Sequence, residues 1–195
     1  MYISVSKHIR LSIDTLLCIA VLPFFGITKS FLILFCAAAL HEAGHIAAIY
    51  ACGAAIDCVT LTPAGVDIRL RGEVEDRFAA VILFCGPMGN MLSAFVAWLF
   101  LREYGYSSDG LFFCISSFVF AVFNLLPIGG LDGGSILKIF LSRRKCPSEV
   151  LRISRMISFA ILLPIWIFAM CMLLGGKENI SLISVCIYLF FCAVW

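Results

Sequence analysis

The chain has 195 residues, of which 63% are hydrophobic and 13% charged, and its mean hydropathy is +1.08. A soluble globular domain carries about a quarter charged residues and a disordered chain is poor in apolar ones, so both classes are excluded. A formal charge of +2 is too small to argue for a nucleic-acid partner, and long unbroken apolar runs are not the alternating pattern of a membrane β-barrel.

Taken in chain order, the apolar runs predict six membrane helices. The first, Leu11 to Ile27, carries only Asp14, and the second, Ser30 to Ile56, carries only Glu42. Phe78 to Leu101, Gly110 to Leu131, Met156 to Gly176 and Asn179 to Trp195 hold no Asp, Glu, Lys or Arg. Pro23 and Pro164 fall inside runs, where spanning helices tolerate kinks. The basic segment Met1 to Arg10 precedes an apolar run with no fitting cleavage site, which reads as an uncleaved first span. Between the second and third spans, residues 58–71 alternate around Pro63-Ala64-Gly65, the pattern of a small β-hairpin. Its edge is as well suited to receiving an extended substrate strand as to being an ordinary loop. The expected architecture is an all-α polytopic membrane protein forming a single domain over residues 1–195.

Six spans with both termini in the cytoplasm put eleven of the fourteen Lys and Arg on the cytoplasmic side and three, Lys29, Arg102 and Lys177, on the other. That asymmetry is the positive-inside signature. Lys138 to Arg155 reads as a positive-inside loop. Cys18, Cys36, Cys85, Cys114, Cys171, Cys186 and Cys192 lie within apolar runs, as small hydrophobes do. Cys52 and Cys58 are the one pair to weigh as ligands or a bridge, and inert packing is the better reading.

An ionisable residue inside a membrane helix is costly and points to function. The second span holds His41-Glu42-Ala43-Gly44-His45. Histidines at i and i+4 share one helical face and reach a single zinc ion through ring nitrogens. Glu42 projects about 100° away, bordering that face, which suits a carboxylate that takes a proton from water without binding metal. A chance match making interhelical hydrogen bonds is the bland alternative, and burying three such groups in lipid weighs against it. A catalytic zinc takes three protein ligands and leaves one position open. His8 precedes the first span, Glu42 is the base and Asp14 lies near the start of the first span. Asp132 is therefore the best third ligand by elimination. The second and fourth spans run in the same direction, so their C-terminal portions approach the same membrane face. The bland alternative for Asp132 is a turn carboxylate, or an N-cap for a helix at Ser135 to Leu141. Asn124, with Pro127 breaking the helix before Asp132, serves equally as a substrate or oxyanion contact or as an interhelical hydrogen bond. Asn90 reads as structural, with Gly86 and Gly89 permitting close helix approach.

With these residues in view, the sequence resembles the site-2 protease family, the intramembrane zinc metalloproteases. His41-Glu42-Ala-Gly-His45 matches the family's His-Glu-x-x-His. Asn124-Leu-Leu-Pro127-Ile-Gly-Gly-Leu-Asp132-Gly133 matches its Asn-x-x-Pro-x-x-x-x-Asp-Gly. Gly86-Pro87-Met88-Gly89-Asn90 is similar to the Gly-Pro-x-x-Asn element between them. The resemblance covers Ser30 to Gly134 as a three-helix catalytic core. It implies one zinc per chain on His41, His45 and Asp132, with Glu42 as general base. The compact layout looks most like the sporulation branch that processes a pro-sigma factor, and neither a PDZ insertion nor a nucleotide-binding domain is evident. The implied reaction is hydrolysis of a peptide bond in or near a membrane segment of a membrane-associated protein. The site is expected toward the cytoplasm. A regulatory membrane protein or a homo-oligomer stays open as a partner. Two competing classes also stay open. One is a metal-ion transporter, although transporters commonly show internal repeats and none is evident. The other is a silent relative that binds membrane proteins, against which the intact Glu42 argues.

Overall fold

A computed structural model describes the chain except for residues 1, 7–8, 13–28, 63–64, 73, 175–179 and 195. Its elements in order are β1 (Tyr2–Ser6), β2 (Ile9–Ser12), α1 (Lys29–Ala51), β3 (Ile56–Thr62), β4 (Gly65–Leu70), α2 (Asp76–Tyr104), α3 (Ser108–Asn124), α4 (Asp132–Ser142), α5 (Pro147–Leu174) and α6 (Ile180–Val194). The described residues group into two compact units, 1–121 and 122–195.

In the first unit the strands form one sheet in the order β1-β2-β3-β4. β1 and β2 are antiparallel, β2 and β3 parallel, and β3 and β4 antiparallel with Thr60 opposite Asp67. The expected hairpin is therefore present, although Pro63 and Ala64 of its turn lie outside the described residues. The two N-terminal strands were not expected. Tyr-Ile-Ser-Val-Ser and Ile-Arg-Leu-Ser alternate apolar and polar residues, a period-2 pattern short enough to pass for the approach to a span. Leu11 and Ser12 accordingly lie in β2, and the rest of the expected first span, residues 13–27, falls outside the described residues.

The second span ends earlier than its apolar run. Gly53 takes φ 70°, the left-handed conformation that glycine adopts without a Cβ penalty. Its N–H donates to the Tyr50 carbonyl at 3.1 Å, and the Ala54 N–H donates to Ile49 at 3.0 Å. This is the paired bonding of a Schellman end. It releases the chain into β3, so Ile56 begins a strand. Buried Ala48, Ile49 and Ile82 then pack with Ile56, Ile68 and Leu70, which ties α1 and α2 to the hairpin.

The helices α1, α2 and α5 are long and apolar enough to cross a membrane, and α3 is a shorter apolar helix. Large apolar side chains such as Phe35, Leu92, Trp98 and Leu163 are exposed on them. Such contiguous exposure suits lipid rather than water, and the protein is a membrane protein. In the second unit, Ile128, Leu131, Leu162, Leu189 and Ala193 form the core.

Candidate metal centre

His41 and His45 are both buried, at 5% and 8% exposure, on the inward face of α1. Their Nε2 atoms are 3.2 Å apart. Nitrogens about 2.0–2.1 Å from a tetrahedral zinc are separated by about 3.3–3.4 Å, so this pair already has the spacing that two ligands of one ion require. The His45 Nδ1–H donates to the Ile82 carbonyl of α2 at 2.8 Å. That bond fixes the tautomer and leaves a lone pair on Nε2, as a ligating histidine needs. The His41 ring meets Phe120 of α3 edge-on, 5.4 Å between centroids. Its Nδ1 lies 3.5 Å from Asn90 Nδ2. Glu42, one residue along, is half-buried.

Glycines make this geometry reachable. A Cβ on Gly44 would come within 2.5 Å of the Cys85 carbonyl oxygen and 3.0 Å of the Gly86 Cα. A Cβ on Gly86 would overlap the His45 imidazole itself. The absence of side chains at Gly44 and Gly86 is therefore what brings α1 and α2 close enough for His45 to reach a main-chain carbonyl. Pro87 lies within α2 and has no N–H for the Leu83 carbonyl, which loosens the helical ladder next to this contact.

In the second unit, α3 ends at Asn124 because Pro127 follows, a residue that disfavours helical conformation in the one before it and cannot donate. Residues 125–131 then make a tight loop. The Leu126 N–H donates to Phe123, Ile128 to Leu126 and Leu131 to Ile128, at 2.8–3.1 Å, and Gly130 has φ 85°. Gly133 and Gly134 at the start of α4 leave no room for a Cβ against the carbonyls of Leu125, Leu126 and Ile128. Asp132 is the first residue of α4, and Leu131 occupies the N-cap. Asp132 and Asn124 are each half-buried. His8 and Asp14 lie outside the described residues. Cys52 and Cys58 are both free thiols.

Two contributors were missed in the sequence. The Ile82 acceptor is a main-chain atom, which no residue type announces. Ser158 of α5 accepts from the Gly129 N–H at 3.0 Å and donates to the Ser154 carbonyl at 2.9 Å. A pair of serines four residues apart, Ser154 among arginines and Ser158 inside the apolar run, is the trace it leaves.

A family model described as Peptidase family M50 matches residues 103–165, a stretch that contains Asn124 to Asp132 and stops short of His41 and His45. The chain is 26% identical over 167 residues to "Zinc metalloprotease MJ0392" of Methanocaldococcus jannaschii, covering 83% of this chain and 47% of that protein. It is 29% identical over 150 residues to "Stage IV sporulation protein FB" of Bacillus subtilis, covering 73% and 51% respectively. The chain thus spans about half the length of the curated relatives it matches. Among solved structures, "Site-2 Protease from Methanocaldococcus jannaschii" shares the fold with a TM-score of 0.70 at 24% identity, over 99% of this chain and 93% of that one. The chain is thus similar to the M50 peptidase family over residues 103–165 and shares the fold of a solved site-2 protease.

Proposed function

We propose that the protein is an intramembrane zinc metalloprotease of a single integral-membrane domain. It hydrolyses a peptide bond in or near the membrane segment of a membrane-associated protein. His41, His45 and Asp132 would hold one zinc, with Glu42 as general base. The observation that carries this reading is the pair of buried imidazoles on an apolar helix, with Nε2 atoms 3.2 Å apart and one ring already fixed by a backbone acceptor. Two imidazoles and one carboxylate are the donor set of a hydrolytic zinc with an open position. Its likeness to a zinc metalloprotease and to a site-2 protease of Methanocaldococcus jannaschii supports the same activity.

When bound, zinc supplies a Lewis acid that polarises a carbonyl and acidifies water. Glu42 accepts the proton of the attacking water and returns it to the leaving amine. The Ile82 carbonyl holds His45 in its ligating tautomer. Asn124 contacts the substrate main chain or its developing oxyanion. The apolar surroundings restrict water to the reacting centre, and burial strengthens each charge interaction there. A helical substrate hides its carbonyls in internal hydrogen bonds, so segments weak in helix propensity are cut first. The Lys and Arg asymmetry supports a site opening toward the cytoplasm.

The reading is tested with the purified chain in micelles and a membrane-segment peptide rich in Gly and Pro. Cleavage should stop on chelation and return with added zinc. Cleavage that is indifferent to chelation contradicts the proposal.

A further inference from the structure

Asn90 is fully buried, four residues beyond Gly86 and eight beyond Ile82 on α2. Those spacings put the three on one face of the helix, the face that meets α1. At Ile82 a main-chain oxygen receives the His45 Nδ1–H. At Gly86 the missing side chain makes room for the His45 ring. At Asn90 the amide faces His41 Nδ1 at 3.5 Å through its Nδ2, and its Oδ1 has no hydrogen-bond partner among the described residues. A buried amide oxygen without a donor is costly. Donation from Nδ2 into His41 Nδ1 also puts the ring proton on Nε2, where it occupies the lone pair a metal needs. The two ends of an amide have the same shape, so packing does not choose between them. A half-turn of the amide lets Oδ1 accept the His41 Nδ1–H and turns the Nε2 lone pair to a metal, in place of the 3.2 Å Nε2–Nε2 hydrogen bond to His45.

We propose that Asn90 is the positioning residue of His41, its Oδ1 accepting the Nδ1–H so that Nε2 is the atom presented to metal. This rests on the reading of His41 as a zinc ligand. Helix α2 would then hold both histidines from behind by oxygens, a main-chain one for His45 and a side-chain one for His41. Outer partners of this kind fix ring orientation and raise ligand basicity.

The test is zinc affinity of the full chain in micelles, measured by chelator competition. Asn90→Leu keeps the volume and removes the acceptor, so affinity should fall about 10- to 100-fold, the usual effect of losing such a partner. Asn90→Asp keeps an acceptor oxygen and should bind within a few-fold of wild type. Asn90→Leu binding as wild type does, or Asn90→Asp falling as far as Asn90→Leu, overturns the proposal. The chain has only three histidines, so ring nitrogens are also resolvable by ¹⁵N NMR without any variant. In the zinc-loaded wild type His41 should carry its proton on Nδ1, and a proton on Nε2 overturns the proposal. His41→Gln separates the two levels. Loss of zinc in His41→Gln with unchanged binding in Asn90→Leu removes the role of Asn90 alone, whereas wild-type zinc binding by His41→Gln removes the ligand reading beneath it.

Discussion

Gly86 has no side chain because the His45 imidazole stands where its Cβ would be. A methyl group there must displace the ring or part α1 from α2. Overpacking of this kind costs about 1–3 kcal/mol. Gly86→Ala should therefore lower the thermal midpoint in micelles and, in the proposed site, weaken zinc binding with it, because both would depend on the same ring. Unfolding scans and zinc titration check this, and a variant with wild-type values for both would mean that the ring has slack. At this scale the sequence was readable where chemistry needs a side chain. His41, Glu42 and His45 stood out because charge and imidazole in an apolar run are expensive. The Ile82 carbonyl was not readable, since every residue carries one, and only the approach of the two helices selects it. The role of Gly86 as space for a ring was half legible, as close helix approach without its object.

At the scale of elements, the loop of residues 125–131 carries the second motif to the start of α4. It is held by main-chain hydrogen bonds and by one side chain, Ser158, which accepts the Gly129 N–H. Ser158→Ala leaves that buried N–H without a partner and should cost about 1–3 kcal/mol. Thermal unfolding in micelles reads the loss. No destabilisation would show that the loop is held by its backbone alone. The ends of the helices divide by mechanism. Pro127 announces the end of α3 within a few residues, because a proline both lacks a donor and crowds the preceding turn. The end of α1 five residues before Ile56 needed the Schellman bonds at Gly53 and Ala54. Continuous hydrophobicity from helix into β3 hid it, since a buried strand and a buried helix share composition. The N-terminal strands were hidden differently, since their alternation lasts only four or five residues and leads straight into an apolar run.

For the whole molecule, composition alone set the environment, and the exposed apolar faces of α1, α2 and α5 agree with it. Helix α2 bears an arginine over an aromatic ring near each end, Arg77 on Phe78 at 4.8 Å and Arg102 on Trp98 at 5.8 Å. Such pairs suit the two membrane–water interfaces. The proposed orientation places the Arg77 end in the cytoplasm. Single cysteines introduced beside Arg77 and Arg102 in a background whose native thiols have been replaced should then label from opposite sides of sealed vesicles, the first only from the cytoplasmic face. Labelling of both from one side would refute the span, and the reverse pattern the orientation. The central claim is that the motif on α1 is a hydrolytic centre within the membrane. Its most direct test is cleavage of a co-expressed membrane substrate by Glu42→Gln, with bound zinc measured in the same preparation. The account predicts zinc at the wild-type level and no cleavage. Full cleavage by that variant would contradict it.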